Sequence, residues 1–158
     1  MTSPMTVTLD LADEAATLRL GARLARLARD GDVIALRGEL GAGKSTLARA
    51  FVRALTGPDE EVPSPTFTLV QTYEGAAGLV WHFDLYRLDE PDDAWELGIE
   101  EAFADGICLI EWPDRLGRLM PRGRLEVALS AGADETSRRA TLISHAGAWD
   151  DRMGEFET

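Results

Sequence analysis

Residues 38–45 read Gly-Glu-Leu-Gly-Ala-Gly-Lys-Ser. Glycines at the first and sixth places, then lysine, then a hydroxyl residue, form the spacing that lets a backbone loop close around phosphate oxygens. Glycine permits N–H groups to turn inward, and a helix starting at the loop's end adds partial positive charge. The expected nucleotide contacts are therefore Gly38, Leu40, Gly41, Ala42, Gly43, Lys44, Ser45 and Thr46. Lys44 would reach the β- and γ-phosphates as a point charge, and the Ser45 hydroxyl would serve as a ligand to Mg²⁺. Lys44 is the only lysine among the chain's 16 basic residues; the rest are arginine. The guanine-reading sequence Asn-Lys-x-Asp is impossible here, because the chain has no asparagine and no second lysine. ATP is the expected nucleotide.

Such a site needs a further acid to hold the metal directly or through water. Two apolar runs end in one: Leu79-Val80-Trp81-His82-Phe83-Asp84 and Ile107-Cys108-Leu109-Ile110-Glu111. Each carboxylate would emerge at a strand end near the phosphates. The segment Val62-Pro63-Ser64-Pro65-Thr66 lies where many such proteins carry a loop that senses the γ-phosphate, and Thr66 offers it a hydroxyl. A plain connection with a strand cap is the competing reading.

These residues need elements to position them. Thr6–Leu11 reads as a strand. A helix follows from Asp13 as N-cap, with Leu18, Ala22, Leu24, Leu27 and Ala28 on its apolar side and Gly31 ending it. Val33–Leu36 is a compact apolar strand before the glycine loop. Ser45–Leu55 is a second helix, its apolar set Leu47, Ala50, Phe51, Ala54 and Leu55. Thr66–Tyr73 and Leu79–Asp84 suggest an antiparallel hairpin. Asp89–Leu97 is expected to be helical with Pro91 in its first turn. Ile107–Ile110 is a buried strand broken by Trp112-Pro113. Arg124–Leu129 and Arg139–Ile143 pair around the turn Ala131–Asp134. The fold class is thus α/β, with a mixed parallel and antiparallel sheet flanked by helices, as in P-loop NTPases.

With 158 residues the chain is read as one domain over residues 1–145, followed by a polar, loosely held tail over 146–158. The net charge of −12 argues against a dedicated nucleic-acid binder, so any role on RNA is expected to run through another protein. No apolar run approaches the roughly 18 residues that span a membrane, and no signal-peptide pattern opens the chain. The lone Cys108, inside an apolar run, reads as a small buried hydrophobe, and a chain with one cysteine fits a reducing cytoplasm. Two histidines are too few for a histidine-rich metal site.

Taken together, GELGAGKST, VPSPTFTLVQTY, HFDLYRL, ELGIEE and CLIEWPDRLG closely resemble the bacterial TsaE (YjeE) family, from about Leu9 to about Leu129. The resemblance implies a small Mg-dependent ATPase of tRNA threonylcarbamoyladenosine biosynthesis. It would act with the TsaD–TsaB heterodimer, which modifies the adenosine beside the anticodon of ANN-decoding tRNAs, and would contact tRNA mainly through those partners. Carried over by position, Lys44 binds phosphate, Ser45 and Glu111 hold Mg²⁺, and Asp84 belongs to the metal and water shell. Thr66 lies in the switch segment, Trp112 packs beside the site, and Glu14 or its neighbours touch adenine. Ser45 stands where threonine is commoner, and either hydroxyl can coordinate Mg²⁺. Asp84 is the preferred group to orient the attacking water, and Arg87 and Arg115 are candidate arginine fingers unless a partner supplies one. Two other readings stay open: a small-molecule kinase with Arg115, Arg118, Arg122 and Arg124 in a lid, and an ATP-dependent docking switch with incidental hydrolysis.

Overall fold

Val33 and Ala35 face one side of the central strand and Ile34 and Leu36 the other. All four are buried, which places this strand inside a sheet covered on both faces. The computed structural model describes residues 4–39, 41–65, 67–76 and 78–156. Its seven strands are β1 (Met5–Leu11), β2 (Val33–Arg37), β3 (Val70–Gly75), β4 (Gly78–Asp84), β5 (Ile107–Glu111), β6 (Arg124–Ala131) and β7 (Arg138–His145). They form one sheet in the order β1-β7-β6-β2-β5-β4-β3. β2 is parallel to both β5 and β6, and β5 is parallel to β4. The outer pairs β1–β7, β6–β7 and β3–β4 are antiparallel. The mixed sheet follows from the sequence as expected, except that β3 begins at Val70, four residues after Thr66. Thr66 itself lies outside the described residues, as does Leu40.

Helices α1 (Glu14–Leu27) and α2 (Lys44–Leu55) cover one face together. Asp13 caps α1 by accepting the Ala16 N–H at 2.9 Å. The buried side of α1 is turned from the one expected: Thr17, Leu20, Gly21, Leu24 and Ala25 are buried, whereas Leu18 is 39% exposed. The reason is close helix contact. A Cβ on Gly21 would sit 2.7 Å from the Leu47 carbonyl oxygen and 2.8 Å from Ala50 Cβ. A helix placed so near α2 must present its smallest residue there, and hydrophobicity alone does not reveal that. On α2 the buried set is Lys44, Leu47, Ala48, Phe51 and Val52, and Ala54 is exposed.

The opposite face is covered by shorter pieces. The helix expected from Asp89 is a 3-10 helix, Pro91–Leu97, opened by a reciprocal capping box between Glu90 and Asp93. Gly98, at φ 81°, joins it to α3 (Ile99–Ala104), and a further 3-10 helix spans Pro113–Leu119. Cys108 sits in this layer, fully buried, and donates its Sγ–H to the Ala102 carbonyl at 3.2 Å. Burial pushes its thiol up to about 12, consistent with an inert core cysteine. No helix among the described residues is long and apolar enough to cross a membrane.

The C-terminal segment departs from expectation. In place of a loose tail, Asp150–Phe156 is a 3-10 helix that buries Met153 and Phe156 in the core beneath α1 and β1, together with Trp149 just before it. Arg152 anchors it: the guanidinium donates to both Asp32 carboxylate oxygens at 2.6 and 3.1 Å, to the Leu27 and Ala148 carbonyls, and lies 3.8 Å from the Trp149 ring. The segment reads as polar because acids, glycine and arginine outnumber its apolar residues, although Trp149, Met153 and Phe156 stand at i, i+4 and i+7. Phe156→Ala is expected to lower unfolding free energy by about 3 kcal/mol in urea denaturation, the usual cost of emptying a buried aromatic site. A change near zero would mean that the segment is not part of the core.

Candidate functional site

The order β6-β2-β5-β4 places the C-terminal end of β5 between those of β2 and β4. In register, Glu111 lies opposite Leu36 on one side and Asp84 on the other. The glycine loop leaves β2 and turns into α2 directly above these carboxylates. This is the edge where open α/β sheets bind ligands.

The two long helices begin differently. α1 has a side-chain cap and Glu14 in its first turn. α2 begins at Gly43, at φ 100°, with no side-chain cap and no acid in its first turn. Its first N–H groups and its dipole are thus left to an outside anion. Gly38, at φ 154°, passes so close to β6 that a Cβ would lie 2.9 Å from the Leu129 carbonyl oxygen. Behind the loop, Ala42 is buried.

Lys44 is the central group. It is 5% exposed, and its Nζ is buried with no hydrogen-bond partner among the described residues, 3.7 Å from the centroid of the Trp112 ring. Burial holds its pKa below the ordinary 10.5, while the charges of Glu111 and then Asp84 oppose that shift. Asp84 accepts the Tyr86 N–H at 3.1 Å, and its own N–H donates to the Leu69 carbonyl at 2.9 Å. The second bond ties the strand end to the segment that follows the prolines. Glu111 Oε2 lies 2.7 Å from His82 Nε2. Trp112 adopts the left-handed conformation at φ 58°, which ends β5 and turns the indole back over Lys44, with Tyr86 tilted against it at 5.0 Å.

Of the residues expected to bind nucleotide or metal, Gly41, Gly43, Lys44, Ser45, Thr46, Asp84, Glu111 and Trp112 line one cavity of about 310 Å³. Glu14 does not line it. It borders a neighbouring recess of about 130 Å³ with Thr17, Gly43 and Thr46. Arg87 and Arg115 do not line the phosphate cavity either; they lie over Phe67 and Tyr86, at 4.7 and 5.9 Å from the ring centroids. Arg124, of the alternative arginine lid, lines a separate cavity of about 160 Å³.

The arginine that does reach the cavity is Arg138, at the start of β7, which sequence reasoning passed over. Its guanidinium donates to the Gly41 and Ala42 carbonyls at 3.2 and 3.1 Å, and to those of Glu135 and Ser137 at 2.7 and 2.8 Å. It therefore brackets the glycine loop to the β6–β7 turn. That turn is closed by the Asp134 carboxylate, held below its usual range by the N–H groups of Ser137 and then Thr136. The only sequence signal was an arginine just after a turn, 94 positions from Lys44 in a chain with 15 arginines.

A divalent ion fits this donor set. Among the described residues no three His, Cys, Asp or Glu side chains are grouped to cage a metal unaided. Two carboxylates and a hydroxyl beside an anion site suit Mg²⁺, which takes its remaining ligands from phosphate and water.

Because Lys44 is the only lysine, a ¹³C-lysine label reads this one side chain. Its NMR titration midpoint is expected below 10.5, and Glu111→Gln is expected to move it further down by removing the largest opposing influence. With a lowered native pKa, the unfolded chain binds the extra proton between the two midpoints. Stability contributed by this group therefore rises with pH through that window. A midpoint at 10.5 would contradict the burial.

Known proteins carry the same pattern. The family model described as threonylcarbamoyl adenosine biosynthesis protein TsaE matches residues 11–140. The tRNA threonylcarbamoyladenosine biosynthesis protein TsaE of Haemophilus influenzae is 37% identical over 152 residues, covering 92% of this chain and 94% of the relative. Those of Rickettsia felis and Bacillus subtilis are 36% and 37% identical over 87% and 77% of this chain, and over 80% and 76% of their own lengths. The crystal structure of Bacillus subtilis YdiB superposes with a TM-score of 0.80 at 25% identity, covering 98% of this chain and 96% of that one. The chain belongs to the TsaE family of tRNA threonylcarbamoyladenosine biosynthesis.

Proposed function

We propose that the chain binds and hydrolyses ATP in the cytoplasm in support of threonylcarbamoyl transfer to tRNA, acting with TsaD and TsaB. The observation that carries this reading is a buried, unpartnered ammonium at an uncapped helix start, facing two carboxylates on adjacent strand ends. A cation desolvated in this way is stabilised when a polyphosphate enters, and the loop N–H groups then gain acceptors. Ser45 and Glu111 would hold Mg²⁺, with Asp84 in its water shell, and the ion would supply charge neutralisation between the β- and γ-phosphates.

The chain's own residues then divide the work. Lys44 stabilises charge developing on the phosphoryl oxygens. Asp84, fixed by the Tyr86 N–H, orients the attacking water. Trp112 covers Lys44 and limits its hydration. Thr46 and the recess by Glu14 lie where the loop helix meets α1, a place for the nucleoside. Arg138 shapes the loop but spends most of its donors on backbone carbonyls. Hydrolysis by the isolated chain is therefore slow, and an arginine from a partner completes the charge stabilisation.

One observation favours the docking-switch reading as a second possibility. The Leu69–Asp84 hydrogen bond links the proline segment to the site, and Phe67 between them is 81% exposed beside Arg87. ATP binding would then set a surface that a partner reads.

Phosphate release from Mg-ATP is expected to be slow with the chain alone and to rise at least tenfold with TsaD–TsaB, and Lys44→Ala is expected to abolish it. Unchanged release with the heterodimer, ATP binding being intact, would reject the partner-completed ATPase. If Glu111→Ala then binds ATP without cleaving it yet supports repeated tRNA modification, the switch reading stands instead. Arg138→Ala is expected to weaken ATP binding about tenfold, roughly 1.4 kcal/mol, by freeing the Gly41 and Ala42 carbonyls. Isothermal calorimetry measures this, and unaltered affinity would make the bracket structural only.

A further inference from the structure

His82 has no role in what precedes, yet its position is costly. On β4 it alternates with Val80 and Asp84 on the face turned towards α2, one step below the carboxylates and beside Leu109 of β5. It is 2% exposed, and its neighbours in that row, Val80 and Leu109, are buried and apolar. An imidazole there loses its water. Among the described residues its Nδ1 is buried with no partner, and the ring's one hydrogen bond runs from Nε2 to Glu111 Oε2 at 2.7 Å. An ionised carboxylate can only accept, so Nε2 carries a proton in this pair. A leucine would pack at this place without the desolvation cost. What the ring adds is the bond to Glu111.

We propose that His82 is a positioning residue for Glu111. It ties down one carboxylate oxygen and thereby directs the carboxylate at the divalent ion of the nucleotide site. Two features support the assignment. Glu111 closes a short strand and is followed at once by Trp112 in the left-handed conformation, so the backbone fixes where its side chain begins. The carboxylate end, with several free torsions, is fixed by His82 from below. Groups bonded to a metal's ligands commonly tune affinity by ten- to a hundredfold. The proposal rests on the reading of Glu111 as a Mg²⁺ ligand.

Two amides test it, because they place a donor at the two ring-nitrogen positions. His82→Gln puts an N–H₂ near the place of Nε2, and His82→Asn puts one near that of Nδ1, too short to reach Glu111. Both bury an amide in the same apolar row, and urea denaturation of each controls for folding. The readout is the Mg²⁺ concentration that half-saturates its effect on binding of a fluorescent ATP analogue, with Mg²⁺-free binding measured alongside. His82→Asn is expected to raise that concentration about tenfold and leave Mg²⁺-free binding within twofold. His82→Gln is expected to restore most of the loss, and Glu111→Gln to remove the Mg²⁺ effect. Equal Mg²⁺ dependence in the Asn variant and the wild type, with Glu111→Gln defective, would overturn the positioning role and leave the metal reading in place. An undiminished Mg²⁺ effect in Glu111→Gln would overturn both.

The wild-type protein offers a measurement that needs no variant to fold. With two histidines in the chain, imidazole ¹⁵N spectra are simple. His82 is expected to carry a proton on Nε2 and to shift when Mg²⁺ is added to ATP-loaded protein. A bare Nε2, or a signal unmoved by Mg²⁺, would overturn the proposal.

Discussion

The structure is organised around one unpaired charge. Lys44 holds its ammonium out of water, over the Trp112 ring, with no hydrogen-bond acceptor among the described residues. Taking an ion out of water costs several kcal/mol, so the fold must offset this elsewhere and must hold the carboxylates near enough to matter. Glu111 and Asp84 do so from neighbouring strand ends, and both oppose the loss of the proton. The three groups line one cavity.

The sheet makes that cavity possible. Placing β5 between β2 and β4 brings the end of the glycine loop and two acids to one edge, although they lie far apart in the chain. The strands that carry them are buried on both faces, so their ends cannot drift. The apolar residues of β4 and β5 are divided between the two cores, with Val80, Ile107 and Leu109 under the long helices and Trp81, Phe83, Cys108 and Ile110 under the short ones. Within this packing His82 lies between Val80 and the acid at the strand end, and its imidazole bonds to Glu111 of the site.

Backbone strain marks the same edge. A tryptophan in the left-handed region costs on the order of 1–3 kcal/mol, and Trp112 follows directly on Glu111. The turn it makes supplies the indole that lies over Lys44, so the strain is coupled to the site. On the other flank the outer hairpin contributes Arg138, whose four backbone acceptors link the β6–β7 turn to the glycine loop. The antiparallel outer strands therefore do more than extend the sheet: β7 positions the loop.

Much of this was legible in the residues. The glycine spacing, the strand before it and the helix after it are local facts, set by φ freedom and by apolar periodicity. They group Lys44, Ser45 and Thr46, which line one cavity in the structure. Asp84 and Glu111 were readable because an apolar run that stops at an acid has few other meanings beside such a loop. Long-range contacts decided the rest. Nothing in the periodicity of α1 shows that Gly21 must meet α2, nor that Leu18 is therefore turned outward. The last residues look polar, yet Trp149, Met153 and Phe156 are core once Arg152 is neutralised by Asp32 across 120 positions. Arg138 and His82 gain their importance from neighbours on other strands, and strand order is a property of the whole sheet. Local sequence carries backbone preference and hydrophobic pattern; the partner of a particular buried polar group depends on which strands lie side by side, and only the tertiary structure decided that.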